Sequence, residues 1–204
     1  AVTDIFEQPP VPTTGVTITG GAANDTINVG SSAPSQPLPT LAADLINANG
    51  GDDFIDGLGG ADTLNGGIGN DTIVYRPDAA IINGASGRDT LVLMSSDVIN
   101  LNNGSDQSQG TPVVSGMDDV DGSASQVALT VTGNMYNNTL RGGGEGDVIG
   151  GDAGRDVLEG GGGNDTLTGG AGNDTIIGGS GIDRALYTGT RANYQVTQLG
   201  PDQW

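Results

Sequence analysis

The chain has 204 residues, 38 of them glycine, with 34% hydrophobic and 3% aromatic residues, too little apolar material to offset the entropy of folding by burial alone. Its 25 acids against 6 bases leave a net charge of -19, which excludes nucleic acid and anionic lipid as partners and favours cations. With no cysteine and no histidine, disulfides, thiolate and imidazole metal sites, and Ser-His-Asp or Cys-His catalysis are excluded.

Residues 1–19 read as a linker and opening strand: Pro9, Pro10 and Pro12 punctuate the first part, and 16–19 suit a strand. Residues 20–92 form a first repeat block. Residues 66–74 read GGIGNDTIV, and aspartates recur every nine positions at Asp44, Asp53, Asp62 and Asp71, then at Asp89 after a lapse at Ala80. Residues 31–40, with Pro34, Pro37 and Pro39, are expected to loop out. Asp25 and Asp44 are 19 residues apart, one more than two repeats, which fits an insertion there.

Residues 93–132 leave the repeat and read as a bridging β segment, with Val127, Leu129 and Val131 alternating as in a half-buried strand. Asp118, Asp119 and Asp121 cluster there. Their spacing matches no EF-hand loop, and a solvated acidic turn is expected rather than a further ion site.

Residues 133–186 form a second block, with 160–168 reading GGGGNDTLT and 169–177 reading GGAGNDTII. Its aspartates are Asp147, Asp156, Asp165, Asp174 and Asp183, with Asn138 in the slot before. Asp89 to Asn138 is 49 residues, not a multiple of nine, so the blocks are out of phase. Residues 187–204 are expected to cap the roll: Ala185 and Tyr187, then Tyr194 and Val196, alternate like a hairpin. The chain is expected to be part of a longer polypeptide. No apolar run approaches the roughly 20 residues a membrane span needs.

A second register accompanies the aspartates. Two residues after each slot stands Ile46, Ile55, Leu64, Ile73, Ile82 or Leu91 in the first block, and Leu140, Ile149, Leu158, Leu167, Ile176 or Ala185 in the second. Ile82 persists where Ala80 has replaced the aspartate, so the apolar column outlasts the metal position. Glycines at the first, second and fourth positions of the nine permit turns with positive φ, and the last three residues suit a short strand. Such a unit buries nothing alone. Stacked units form two parallel sheets around the Ile/Leu column, with eighteen residues per coil.

Aspartates eighteen apart then stand on one edge, about 5 Å from each other: Asp44 with Asp62, Asp53 with Asp71, Asp71 with Asp89, Asp147 with Asp165, Asp165 with Asp183, and Asp156 with Asp174. A divalent cation between them reverses the repulsion. Calcium is the fitting ion, since it takes six to eight oxygens and accepts carbonyls as readily as carboxylates; magnesium demands a tighter octahedron and zinc wants nitrogen or sulfur.

These units resemble the nonapeptide repeats of the RTX family, whose pattern is G-G-x-G-x-D-x-U-x. The match is close at 66–74 and 151–177, looser at 48–65, and degenerate at 20–28 (GGAANDTIN) and 133–141 (GNMYNNTLR). The resemblance implies an all-β fold: a right-handed parallel β-roll, a solenoid, here in two blocks joined by an irregular β segment. It implies secretion from bacteria by the type I route and folding on calcium outside the cell, commonly as an accessory module of a larger protein. Its ligands would be the ten repeat aspartates named above and turn carbonyls, here of Gly66, Gly67, Gly69, Gly151, Gly154, Gly160, Gly161, Gly163, Gly169, Gly170 and Gly172. Asp25 and Asn138 are possible additions. About six or more ions are expected.

The leading reading is therefore a calcium-dependent folding module that supports its neighbours in a secreted protein. A structural spacer or lattice element of an adhesin or surface layer is the alternative. Paired carboxylates can hydrolyse glycosides, but the aspartates are already used by the repeat, and neither Glu145 nor Glu159 has a clear partner, so intrinsic catalysis is not expected. A phosphate-cradling loop lacks its lysine.

Overall fold

The computed structural model describes residues 14–28, 30–94, 98–102, 107–108 and 113–187. The linker over 1–13 and the capping hairpin beyond Tyr187 lie outside the described residues. Each repeat contributes a short strand wherever a β-branched or apolar triplet follows the aspartate. The first block holds β1 (Thr17–Thr19), β2 (Thr26–Ile27), β3 (Leu45–Gly50), β4 (Phe54–Ile55), β5 (Thr63–Ile68), β6 (Thr72–Val74), β7 (Ile81–Ser86) and β8 (Thr90–Val92). The bridging segment adds β9 (Val98–Asn100), β10 (Val113–Ser115), β11 (Asp119–Asp121) and β12 (Thr130–Thr132). The second block adds β13 (Thr139–Arg141), β14 (Val148–Gly150), β15 (Val157–Gly162), β16 (Thr166–Thr168), β17 (Thr175–Ser180) and β18 (Arg184–Leu186).

All strand pairs are parallel, and the chain winds as a β-solenoid. One sheet is continuous from end to end, in the order β2-β4-β6-β8-β11-β13-β15-β17. Opposite it stand two five-stranded sheets, β1-β3-β5-β7-β10 and β9-β12-β14-β16-β18. The two repeat blocks thus share a common wall. Successive coils pair in strict register, Ile46 with Leu64 and Leu64 with Ile82, or Leu140 with Leu158 and Leu158 with Ile176.

The middle residue of each strand points inward because side chains alternate along it. Ile46, Ile55, Leu64, Ile73, Ile82, Leu91, Leu140 and Leu158 are all fully buried. Ile82 keeps its place in the column beside Ala80, as expected. Ala185 pairs with Leu167 in the last rung but is exposed, and Ile176 is only partly buried.

The bridging segment continues this column rather than interrupting it. Ile99, Val114, Val120 and Val131 are its buried members. The anticipated strand through Val127 is shorter than its alternation suggests: Leu129 is buried, but Val127 is 39% exposed and lies before β12. The phase slip arises because the chain makes two strands, β9 and β10, between β8 and β11. Gln107 closes the gap between the two five-stranded sheets. Its backbone N–H donates to Val114 O at 2.6 Å and its carbonyl accepts from Asn100 N at 2.7 Å. Its side chain, 4% exposed, donates to Leu101 O and Met117 O and accepts from Met117 N.

The insertion at 31–40 is also present. Ile18 pairs with Ile46, 28 residues on instead of 18, so the extra length is ten residues. Asp25 therefore stands over Asp53, not Asp44: the Asp53 carboxylate accepts from Asp25 N across 28 residues. The 19-residue spacing is one repeat plus the insertion.

The described residues hold no helix long and apolar enough to cross a membrane.

Candidate metal sites in the turns

Every aspartate slot lies where a turn enters a strand, and stacking brings the slots into columns. In all six same-edge pairs the later aspartate accepts the earlier one's backbone N–H through Oδ1. Asp62 takes Asp44 N, Asp71 takes Asp53 N, and Asp89 takes Asp71 N, at 2.8 to 2.9 Å. Asp165 takes Asp147 N, Asp183 takes Asp165 N, and Asp174 takes Asp156 N, at 2.7 to 3.0 Å. Each carboxylate thereby bridges two coils. A second ladder runs the other way one residue earlier in the repeat: Asn24 Oδ1 accepts from Asp52 N, Asp52 Oδ1 from Asn70 N, and Asn70 Oδ1 from Arg88 N. On this edge turns are tied to the coils on both sides.

The second carboxylate oxygen is the distinctive atom. Oδ2 of Asp53, Asp62, Asp71, Asp89, Asp156 and Asp165 is buried without a hydrogen-bond partner. A native fold rarely leaves a charged acceptor in that condition. Burial raises the carboxyl pKa of all six, and neighbouring carboxylates add to the shift at each of them. Asp62, Asp89 and Asp156 are pushed up to about 6, and Asp53, Asp71 and Asp165 also move upward. The remaining slots differ. Asp44 Oδ2 accepts from Thr40 N, Asp25 Oδ2 from Gly21 N, and Asp147 Oδ2 from Gly143 N. Asp174 and Asp183, in the last coil, are half-buried.

A raised carboxyl pKa means that the fold favours the protonated form. The metal-free fold is therefore least stable above about pH 6, where Asp62, Asp89 and Asp156 ionise, and gains stability as pH falls toward the ordinary carboxyl range. In calcium-free buffer the β signal in circular dichroism is expected to grow from pH 7.5 to pH 5. A signal that shrinks over that interval would contradict the assignment.

The first glycine of the repeat serves a purpose other than the expected turn. It does not adopt positive φ; a side chain there would fill the space before the carboxylate. A Cβ on Gly160 would lie 2.2 Å from Asp165 Oδ2 and 2.4 Å from Gly178 O. Gly142 and Gly151 are crowded in the same way by Asp147 Oδ2 with Gly160 O, and by Asp156 Oδ2 with Gly169 O. Glycine thus leaves a cradle walled by oxygen. The left-handed conformation belongs to the second and fourth positions. At the second, Asn49, Leu58, Ala85 and Asp152 have φ of 72 to 77°, which Asn and Asp adopt most readily and Leu and Ala only at some cost. At the fourth, as at Gly69 with φ 133°, only glycine is comfortable.

Of the anticipated carbonyls, those of Gly160 and Gly169 border the cradles of Asp147 and Asp156, and that of Gly151 lies by Asn138. Those of Gly69, Gly154, Gly161 and Gly163 face the glycine one coil on. Gly66, Gly67, Gly170 and Gly172 hold equivalent repeat positions. Among the described residues no three or more acidic side chains converge so as to hold one ion between them. A metal here would be held by one or two carboxylates plus backbone oxygens, a donor set that suits a hard cation.

The bridging acids correct the solvated-turn expectation. Asp118 occupies an aspartate slot, for its Oδ2 accepts from Asp89 N at 3.0 Å. Asp119 is 8% exposed and forms a bidentate pair with Arg88. The spacing hid Asp118, which follows Asp89 by 29 residues; the signal available was Val120, two residues later in the apolar register. Leu129 fills another slot with an apolar side chain, and its N–H donates to Asp147 Oδ1.

Comparison with known families matches the RTX calcium-binding nonapeptide repeat in four copies, at residues 16–33, 40–73, 132–167 and 150–185. No match to a curated protein is found. The copies cover just over half of the chain and fall on the rows whose carboxylates line the turns. The chain belongs to the RTX calcium-binding repeat family, and its solenoid is a calcium-binding β-roll.

Proposed function

We propose that this roll is the calcium-dependent folding module of a larger secreted bacterial protein, unfolded while calcium is scarce and closing around the ion after export. The observation that carries the reading is the set of buried, unpartnered Oδ2 atoms on Asp53, Asp62, Asp71, Asp89, Asp156 and Asp165. Five of them, all but Asp53 with Ala48 at the first position, face a cradle that a glycine keeps open. A bound calcium supplies the positive charge these carboxylates lack, along with a reason for adjacent turns to approach.

The ligands are the ten repeat aspartates with the turn carbonyls of their own and neighbouring coils. Asp25 stands in line above Asp53, and its Oδ2 is engaged by Gly21 N as those of Asp44 and Asp147 are by Thr40 N and Gly143 N, so these three are weaker members of the set. The role of the aspartates is electrostatic and structural. Nothing in the donor set requires a reaction.

Native mass spectrometry of the whole chain in millimolar calcium is expected to show about six or more bound ions, with magnesium far less populated at equal concentration. A chain that takes up no calcium, or binds magnesium equally, would overturn the reading.

A further inference from the structure

At the junction of the two blocks the aspartate column on the continuous sheet passes from Asp89 to Asp118, Asn138 and Asp156. Asp89 and Asp156 each keep a buried Oδ2 without a partner. Asn138 does not share that condition. It is 1% exposed, and its whole carboxamide is satisfied by protein. Oδ1 accepts from Asn134 N at 2.8 Å. Nδ2 donates to Asp118 O at 2.6 Å and to Asn134 Oδ1 at 3.3 Å.

Arg88, one residue before Asp89, ties the same coils through Asp119 and Thr139. Its Nε donates to Asp119 Oδ2 at 2.5 Å and its Nη2 to Asp119 Oδ1 at 2.8 Å. Nη2 also reaches Thr139 Oγ1 at 3.2 Å, and Thr139 N donates to Asp119 Oδ1 at 2.5 Å. Strands β8, β11 and β13, already paired along the sheet, are therefore also tied to one another through these side chains.

We propose that this junction is a metal-free clasp, in which the Asn138 carboxamide and the Arg88 guanidinium supply from the chain itself the donors and positive charge that calcium supplies elsewhere. The inference rests on the reading of the repeat aspartates as calcium ligands.

The chemistry separates the two kinds of row. A carboxylate only accepts, so beside a carbonyl it needs a cation between them. A carboxamide brings its own N–H groups, and Asn138 aims them at Asp118 O, the kind of oxygen an ion would need. The NH₂ group takes up a lone pair of that carbonyl and turns its partial positive charge toward the place a cation would occupy, which disfavours an ion there. The guanidinium fork matches a carboxylate in two parallel bonds and does not lose its charge. The clasp also lies where the nine-residue phase breaks, since Asp118 follows Asp89 by 29 residues and Asn138 follows Asp118 by 20. A turn of altered length does not keep the repeat's arrangement of carbonyls, whereas side-chain hydrogen bonds tolerate the change.

The test counts ions on the full chain by native mass spectrometry at saturating calcium, for wild type, Asn138→Ala and Asn138→Asp, and follows calcium titrations of Arg88→Gln by circular dichroism. Asn138→Ala is expected to retain the wild-type ion number, and Asn138→Asp to gain one ion. Arg88→Gln should keep the ion number but need several-fold more calcium to fold. Loss of an ion in Asn138→Ala, or no gain in Asn138→Asp, overturns the clasp while leaving the repeat ligands standing. A wild-type chain that binds no calcium overturns both. Should Arg88→Gln fail to fold at any calcium concentration, the ion counts of the two Asn138 variants decide the matter.

Discussion

In calcium-free solution at neutral pH the chain is expected to lose most of its β signal in far-ultraviolet circular dichroism. The signal should return cooperatively as calcium rises through about 10⁻⁴–10⁻³ M, and equal magnesium should not restore it. The reason lies in how little each repeat buries. A repeat sends one large apolar side chain inward, such as Leu158 or Ile73, and its glycines lose more conformational freedom on ordering than any other residue. The chain also carries a net charge of -19, much of it stacked along two edges. An ion at ten times its dissociation constant stabilises a site by about 1.4 kcal/mol. Six sites together reach the scale of a whole domain's net stability, about 5–15 kcal/mol. The clasp at Asn138 ties only three strands and is too small to hold the solenoid by itself. A chain that stays fully folded in excess chelator would sink the coupling.

The coil rule was legible because strand and turn have fixed lengths in most rows. Once the Ile/Leu residues recur two places after the aspartates, a stacked column is the economical arrangement, and Ile46, Leu64 and Ile82 stand where that argument puts them. The same rule hid the bridging segment. Val120 and Leu91 pair as closely as any repeat residues, but 29 residues separate them, so period counting passes over the pair and over Asp118 beside it. Gln107 was unreadable for another reason. A buried glutamine that takes the place of a strand depends on the carbonyls of Leu101 and Met117 and the Met117 amide, six and ten residues away with no repeat spacing, and leaves no periodic pattern.

At the site itself, residue types were clear and their division of labour was not. The repeat demands glycine at its first position, and turn geometry is the natural explanation; the structure shows a need for space before a carboxylate instead. Likewise like charges on one edge suggest simple repulsion. In the fold Asp53, Asp62, Asp71, Asp89, Asp156 and Asp165 each spend one oxygen on a neighbour's N–H and keep only the other exposed to the problem of charge. That split is three-dimensional, and nothing in a one-dimensional pattern records it.

The split makes Asp165 the most informative single position. It stands between Asp147 and Asp183 on one edge, accepting Asp147 N–H through Oδ1 while Oδ2 is buried and unpartnered. Asp165→Ala removes both functions. It orphans a buried N–H, at about 1–3 kcal/mol, and withdraws a ligand from the sites on both sides, so the calcium midpoint should rise about tenfold or more. Asp165→Asn separates the two. Its Oδ1 still takes the Asp147 N–H, while the charge that desolvation opposes is gone. In calcium-free buffer Asp165→Asn should be at least as stable as wild type; in saturating calcium it should be clearly less stable and carry fewer ions. That reversal of order is what a metal ligand produces and what a purely structural hydrogen-bonding residue does not. Asp106→Ala, outside the repeat, should change stability by no more than about 0.5 kcal/mol under either condition. Equal losses for Asp165→Asn with and without calcium would show that the residue acts through its hydrogen bond alone, and the ligand assignment would have to be abandoned at this coil.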